Sequence, residues 1–545
     1  MSSLRAVPID DPRPTPPSAH PSTSPPTLTL VGAEPGPTAR TTAMPDPLPS
    51  PPPPLAVAGR HVYLIGIGGS GMSGMARMLA ARGAIVRGSD ASQSGVTDAL
   101  VRDGLPVDLD LAPGLPDECD LVVASAAIRP DHPQILAAQH RGIETLAYAE
   151  ALGRCMIGRT GVCIAGTHGK STTTAMLGCI LQDAGLDPTV IVGATCRQLG
   201  ASPGAPPAAG GAGFRLGREA VPAGRLAGRP GFLVAESCEF NRSFHNYRPV
   251  VAAITSVEAD HLDIYGSLDA VVESFSHFAR LIAPAAEGGL LLIAHDGAHR
   301  REVTAGVSCS VETIGFSPAA DWVVAYDPRT RRVELRNPPR TNGTVVAAWT
   351  CNLPGDHNAM NGATAAALAL TLGAERDAVE RSLSGFRGVD RRCQMLGERP
   401  LVSGGSVRVY DDYGHHPTEV EATLRALRQF EAPEKRGGRL ICVFQPHQHS
   451  RTRHLLAEFA AAFDHADVVI VPHIYFVRDS EEEKHKVTAG DLVDRLREKG
   501  VHAMHLYPFE AIIEQLAHLC RGGDLLVVMG AGPVNQVAEG FLARA

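Results

Sequence analysis

The sequence contains no run of about 18 apolar residues, the length a helix needs to cross a bilayer, so no membrane span is expected. It has no basic excess either. With 50 Lys and Arg against 58 Asp and Glu, the net charge is −8, which gives nucleic acid no electrostatic footing. Its 11 cysteines include no C-x-x-C pair, and several lie in apolar runs. That argues against a disulfide framework or a zinc site and for reduced core thiols. The N-terminus lacks the charged-then-apolar order of a signal peptide. These absences leave an enzyme of the cytoplasm as the expectation. Hydrophobic content of 44% and charged content of 20% are ordinary for a globular chain. A length of 545 residues suggests about three or four domains.

Residues 1–57 are rich in Pro, Ser and Thr and end close to the proline run at 51–54. Such a segment buries too little apolar surface to offset its ordering entropy, so a disordered tail is expected. From residue 61 the pattern changes. HVYLI (61–65) is a strand, GIGGSG (66–71) a glycine turn, and an apolar-periodic helix follows to about residue 82. A second strand from Ile85 ends at Gly88-Ser89-Asp90. This is the G-x-G-x-x-G fingerprint with an acidic residue about twenty positions on. It either seats a nucleotide diphosphate on a helix N-terminus or makes the tight turn of a doubly wound domain.

The stretch VCIAGTHGKSTTTAML (162–177) runs from an apolar strand through glycines into Lys170-Ser171 and a helix start. Backbone N–H groups there point at an anion, Lys170 adds a point charge, and the Ser171 hydroxyl can reach Mg²⁺. The loop is shorter than the usual phosphate-binding pattern. Low complexity over about 200–230 reads as a surface loop or an insertion. Then GFLVAESCEF (231–240) is a strand ending in Glu236, with Glu239 close by, and VVAAITS (250–256) is a strand running into VEADHLD (257–263). Carboxylates and a histidine past strand C-termini sit where open α/β sheets bind ligands. Mg²⁺ prefers oxygen, so His261 reads as a metal ligand or as a surface histidine. In LPGDHNAMN (353–361), Asn358 and Asn361 are one helical turn apart and either cap the helix or bond a nucleotide.

The last block opens at GVDRR (388–392), whose arginines either clamp a phosphate or lie solvated at the surface. Strands at 407–410 and 439–444 feed DDYGHHPTE (411–419) and FQPHQHSRT (444–452), and further strands lie at 468–471 and 525–529. Strands alternating with helices predict an α/β fold of three domains. The first, at 58–155, is Rossmann-like; the second, at 156–386, carries the phosphate loop; the third, at 387–545, is again Rossmann-like.

With GIGGSGMSG (66–74), GTHGKSTT (166–173), VAESCEF, VEADHLD, LPGDHNAMN, GVDRR, DDYGHHPTE, FQPHQHSRT and GAGPV (530–534) in this order, the chain resembles the Mur ligase family from about residue 58 onward. Within it, DDYGHHPTE and FQPH are most similar to the members that add L-alanine. The resemblance implies an ATP- and Mg²⁺-dependent ligase of peptidoglycan precursor synthesis. Its small-molecule substrates would be UDP-N-acetylmuramate and L-alanine, and it would be a monomer or homodimer. Gly166, Thr167, His168, Gly169, Lys170, Ser171 and Thr172 would hold ATP, with Asn358 and Asn361 at the adenine nucleotide and Asp412 at the ribose. Arg392 would reach the γ-phosphate, and Ser171, Glu236 and His261 would hold Mg²⁺, with Glu239 as the alternative to Glu236. Gly66, Gly68, Gly69, Ser70, Gly71, Met72, Ser89 and Asp90 would bind the UDP-sugar. Tyr413, His415, His447 and Arg451 would line the meeting place of carboxylate and amine, with His447 or His415 as base. Gln448 departs from the arginine that many members carry. A nearer competitor is the ligase that joins a whole tripeptide to the same UDP-sugar. A nicotinamide-dependent dehydrogenase built on residues 66–71 leaves GTHGKST unexplained, and a regulatory nucleotide binder would bind without turnover.

Overall fold

The computed structural model describes residues 51–109, 114–199, 212–224, 226–477 and 479–544. The expected tail falls mostly outside these residues. Its last part is folded, since Leu55 and Val57 are buried in the first domain's core and the Leu55 N–H donates to the Arg154 carbonyl at 3.3 Å.

Three sheets organise the described residues. The first has strand order Val107–Asp108, Ile85–Ser89, His61–Ile65, Leu121–Ala124, Glu144–Ala147, all parallel. His61–Ile65 is central and almost wholly buried, as HVYLI requires of a strand covered on both faces. Chain order reverses on either side of it, which opens a crevice beyond its C-terminal end.

The second sheet has ten strands. Thr160–Ala165 lies inside it, between Val251–Ile254 and Phe232–Glu236, parallel to both. Strands Arg332–Arg336 and Val345–Thr350 extend one side antiparallel. At the other edge Ala212–Arg215 pairs antiparallel with Thr189–Cys196. The surface loop expected over 200–230 is therefore wrong at 212–215. Gly- and Ala-rich neighbours mask a short strand whose Phe214 is buried and whose Arg215 donates to Pro188 O (2.7 Å) and Asp187 Oδ1 (2.6 Å). Residues 200–211 of that segment lie outside the described residues. Helices Lys170–Asp183 and Asp356–Thr371 are buried together in the core beside this sheet, and so neither shows a polar stripe. Leu177, Ile180 and Leu181 are all 0% exposed, and each contributes about 1.5–3 kcal/mol by burial.

The third sheet runs Gln394–Pro400, Ser406–Asp412, Leu525–Met529, Leu440–Phe444, Val468–Val471, His502–His505. The first strand is antiparallel and the rest are parallel. All 11 cysteines are free, and only Cys238 is not fully buried. Among the described residues no helix is long and apolar enough to cross a membrane.

Candidate active site

The phosphate loop follows the buried strand Thr160–Ala165. Gly169 adopts φ 80° and is the N-cap of helix Lys170–Asp183 with no side-chain cap, which leaves first-turn N–H groups for an anion. A Cβ at Gly169 would lie 2.5 Å from Asn361 Oδ1, so only glycine fits. The Lys170 ammonium folds back over the loop, donating to Thr167 O at 2.9 Å and pairing with Glu239 at 2.9 Å. Burial alone would lower its pKa, but the Glu239 carboxylate more than offsets this and raises it, so the lysine stays charged. Ser171 Oγ donates to Glu236 Oε1 at 2.9 Å, and Glu236 Oε2 accepts the Gly193 N–H at 2.7 Å. These hard oxygen donors at a helix N-terminus suit Mg²⁺.

A cavity of about 260 Å³ opens beside the loop. His168, Gly169 and Thr172 line it from the loop, Asn358 and Asn361 from helix Asp356–Thr371, and Arg392 and Asp412 from the third domain. Neither asparagine caps its helix, because the N-cap is Gly355. Asn361 accepts from Thr173 Oγ1 (3.3 Å) and donates to Asn358 Oδ1 (3.3 Å). The paired arginines divide. Arg391 is structural, donating to the Gly530 (2.7 Å) and Gly532 (3.1 Å) carbonyls and pairing with Asp411. Arg392 packs over the Tyr413 ring at 4.9 Å and faces the cavity. Asp412 accepts the backbone N–H groups of Cys393 and Gly414, both at 2.6 Å, while burial pushes its pKa up to about 6.

A second polar cluster adjoins the first. Arg451, buried, donates to Asp260 Oδ1 through Nε (3.1 Å) and Nη2 (2.8 Å), a pair joining third and central domains. Burial would raise the Asp260 pKa, but Arg451 holds it below the usual carboxylate range. His447 Nδ1 accepts from Arg451 Nη1 at 3.1 Å, so a neutral His447 carries its proton on Nε2. The His415 ring lies 5.6 Å from His447. Its Nδ1–H donates to Tyr413 O at 3.0 Å, and burial pushes its pKa down to about 4.

His261 is the third residue expected to hold the metal with Ser171 and Glu236. It sits at φ 53° beside Asp260 (3.6 Å) and edge-on to Phe240. Its ligand atom clusters with those of Glu239 and Asp260, all within 4.8 Å of one another. Ser171 is bonded to Glu236, and His261 lies with Glu239 and Asp260. Asp260 and Glu239 were visible at strand exits in VEADHLD and AESCEF; that they would pair with Arg451 and Lys170 was not.

In the first domain, helix Ser70–Ala81 also begins at a glycine, Gly69, without a side-chain cap. Asp90 Oδ2 accepts the Gly68 N–H at 2.8 Å, and Ser70 Oγ reaches across to Gly193 O at 3.1 Å. Two expected contacts point elsewhere. Met72 is buried in the apolar core, and the fully buried Ser89 donates its hydroxyl to Gln134 Oε1 at 2.7 Å.

Family models match three successive segments: residues 61–160 the Mur ligase family catalytic domain, 164–369 the Mur ligase middle domain, and 391–532 the Mur ligase glutamate ligase domain. A Desulfitobacterium hafniense protein named UDP-N-acetylmuramate–L-alanine ligase is 35% identical over 484 residues, 88% of this chain and 99% of its own length. A Kineococcus radiotolerans protein of the same name is 38% identical over 506 residues, 90% of this chain and 96% of its own. The chain belongs to the Mur ligase family. The same fold occurs in a UDP-N-acetylmuramate-alanine ligase from Thermotoga maritima, with a TM-score of 0.69 and 23% identity over 89% of this chain and 98% of that one. In this Mur ligase the cavity sits where the central and third domains meet, so a nucleotide there would touch both.

Proposed function

We propose that the chain joins L-alanine to the lactyl carboxylate of UDP-N-acetylmuramate, forming an amide in peptidoglycan precursor synthesis in the cytoplasm, with ADP and phosphate as by-products. Domains dividing near residues 155 and 386 carry the three parts of the reaction. The observation that carries this reading is the convergence of His168 and Gly169 of the loop, Asn358, Asn361 and Arg392 on one cavity, with Lys170 folded over the same loop and the Arg451–Asp260 pair beside it. The names of the relatives support the choice of amine and acid.

ATP with Mg²⁺ supplies the phosphoryl group that makes a carboxylate a competent acyl donor. Lys170, from the loop, and Arg392, from the third domain, stabilise negative charge on the transferring group. Ser171 and Glu236 are the residues that would hold Mg²⁺, with Glu239, Asp260 and His261 as a second oxygen-rich group. Gly68 and Gly69, at the start of helix Ser70–Ala81, hold the UDP diphosphate. Arg451, fixed by Asp260, orients a carboxylate. His415 keeps its lone pair on Nε2 and offers it to a hydrogen bond from the incoming amine, although its lowered pKa makes it a weak base. His447 presents a proton instead and orients the substrate. Closure of the third domain excludes water from the acyl phosphate.

The test is phosphate release with UDP-N-acetylmuramate while scanning L-alanine, L-serine, glycine and the tripeptide. Turnover highest with L-alanine is expected. Equal or better turnover with tripeptide would overturn the assignment in favour of the peptide-joining ligase.

A further inference from the structure

Glu419, in the first turn of helix Pro417–Glu431, gathers partners from both sides of the nucleotide cavity. Its Oε2 accepts the N–H groups of His415 (2.9 Å) and His416 (3.2 Å), closing the capping box of its own helix. Its Oε1 lies 3.2 Å from Nδ1 of His168, inside the phosphate loop, and 3.9 Å from Arg392 Nη1. His168 reaches Glu258 Oε2 with its other nitrogen at 3.5 Å, and Thr418 Oγ1 donates to that same oxygen at 2.8 Å. His168, Glu258 and His416 are close enough together to hold a metal, but His416 has no free nitrogen. Its Nδ1 accepts from Thr418 N and its Nε2 donates to Ala259 O, both at 3.3 Å. The cluster is built around a proton.

We propose that Glu419 is a positioning residue: through His168 it clamps the third domain onto the phosphate loop, and with the same oxygen it steers Arg392 toward the phosphates. This rests on the ligase reading above. The groups facing His168 are Glu258, Glu419, the His416 ring at 5.0 Å and, more distantly, His357; Glu419 also faces Arg392 and His415. Burial alone would lower the His168 pKa, but the two carboxylates raise it to about 9. A raised pKa means that the bridge is intact at neutral pH and is lost as pH rises through about 9.

The experiment is a double-mutant cycle of E419Q and H168Q. Glutamine keeps the capping-box acceptor, so E419Q removes charge rather than the helix start. Each single variant should lower kcat/KM for ATP by about 10²-fold, and the double should be no worse than the poorer single. Directly measured UDP-N-acetylmuramate affinity should not change. The fall in kcat/KM near pH 9 should be present in the parent and absent from both variants. Losses that multiply in the double variant, or an E419Q enzyme with parental kcat/KM for ATP, would overturn the proposal. H168Q leaves the capping box untouched, so if E419Q melts early, H168Q alone must show the ATP-specific loss. An inactive parent overturns the ligase reading instead, and the same cycle read on ATP affinity still decides the clamp.

Discussion

Two glycine loops in this chain begin alike and end differently. Both follow a buried parallel strand and lead into a helix whose N-cap is a glycine without a side-chain cap. At Gly68 the loop is tied by a carboxylate, Asp90, and no lysine follows. At Gly169 the next residue is Lys170, curled over the loop and paired with Glu239. Backbone N–H groups and a helix dipole suffice to hold a diphosphate. Moving a phosphoryl group asks for more: mobile positive charge, a hydroxyl and carboxylate for Mg²⁺, and an arginine from another domain. On the proposed reading the first loop is a holder and the second a reactor.

The contrast breaks most sharply at Lys170. Lys170→Ala should reduce phosphate release by about 10²–10³-fold or more, with UDP-sugar affinity by calorimetry unchanged; lost UDP-sugar binding would mean the two loops are not separate sites. Gly169→Ala forces a side chain into φ 80° and against Asn361. It should cost about 1–3 kcal/mol in a thermal or urea melt and weaken ATP binding. Gly68→Ala sets a Cβ 2.8 Å from Asp90 Oδ2. It should raise KM for the UDP-sugar about tenfold, worth about 1.4 kcal/mol, and leave KM for ATP unmoved. A Gly68→Ala effect on ATP would contradict the division of labour.

Much of this division was legible in the chain. Apolar runs stopping at glycine marked both loops, and the spacing of Asn358 and Asn361 put them on one helical face, where the cavity finds them. What could not be read were roles set by distant partners. Arg391 and Arg392 are adjacent and alike in sequence. Carbonyls at 530 and 532 claim the first, and the cavity takes the second. Asp260 meets Arg451 from 191 residues away, and His168 meets Glu419 across 251. The edge strand Ala212–Arg215 was hidden because low-complexity neighbours carry no alternation. The Met72 side chain lies in the apolar core despite its place in the motif, since a helix start also has an inward face.

The most direct test follows the oxygen. UDP-N-acetylmuramate carrying ¹⁸O in its lactyl carboxylate, turned over with ATP and L-alanine, should release phosphate bearing one labelled oxygen, because the bond between carboxylate oxygen and phosphorus survives when the amine displaces phosphate. Unlabelled phosphate alongside normal amide formation would contradict carboxylate activation at the Lys170 loop.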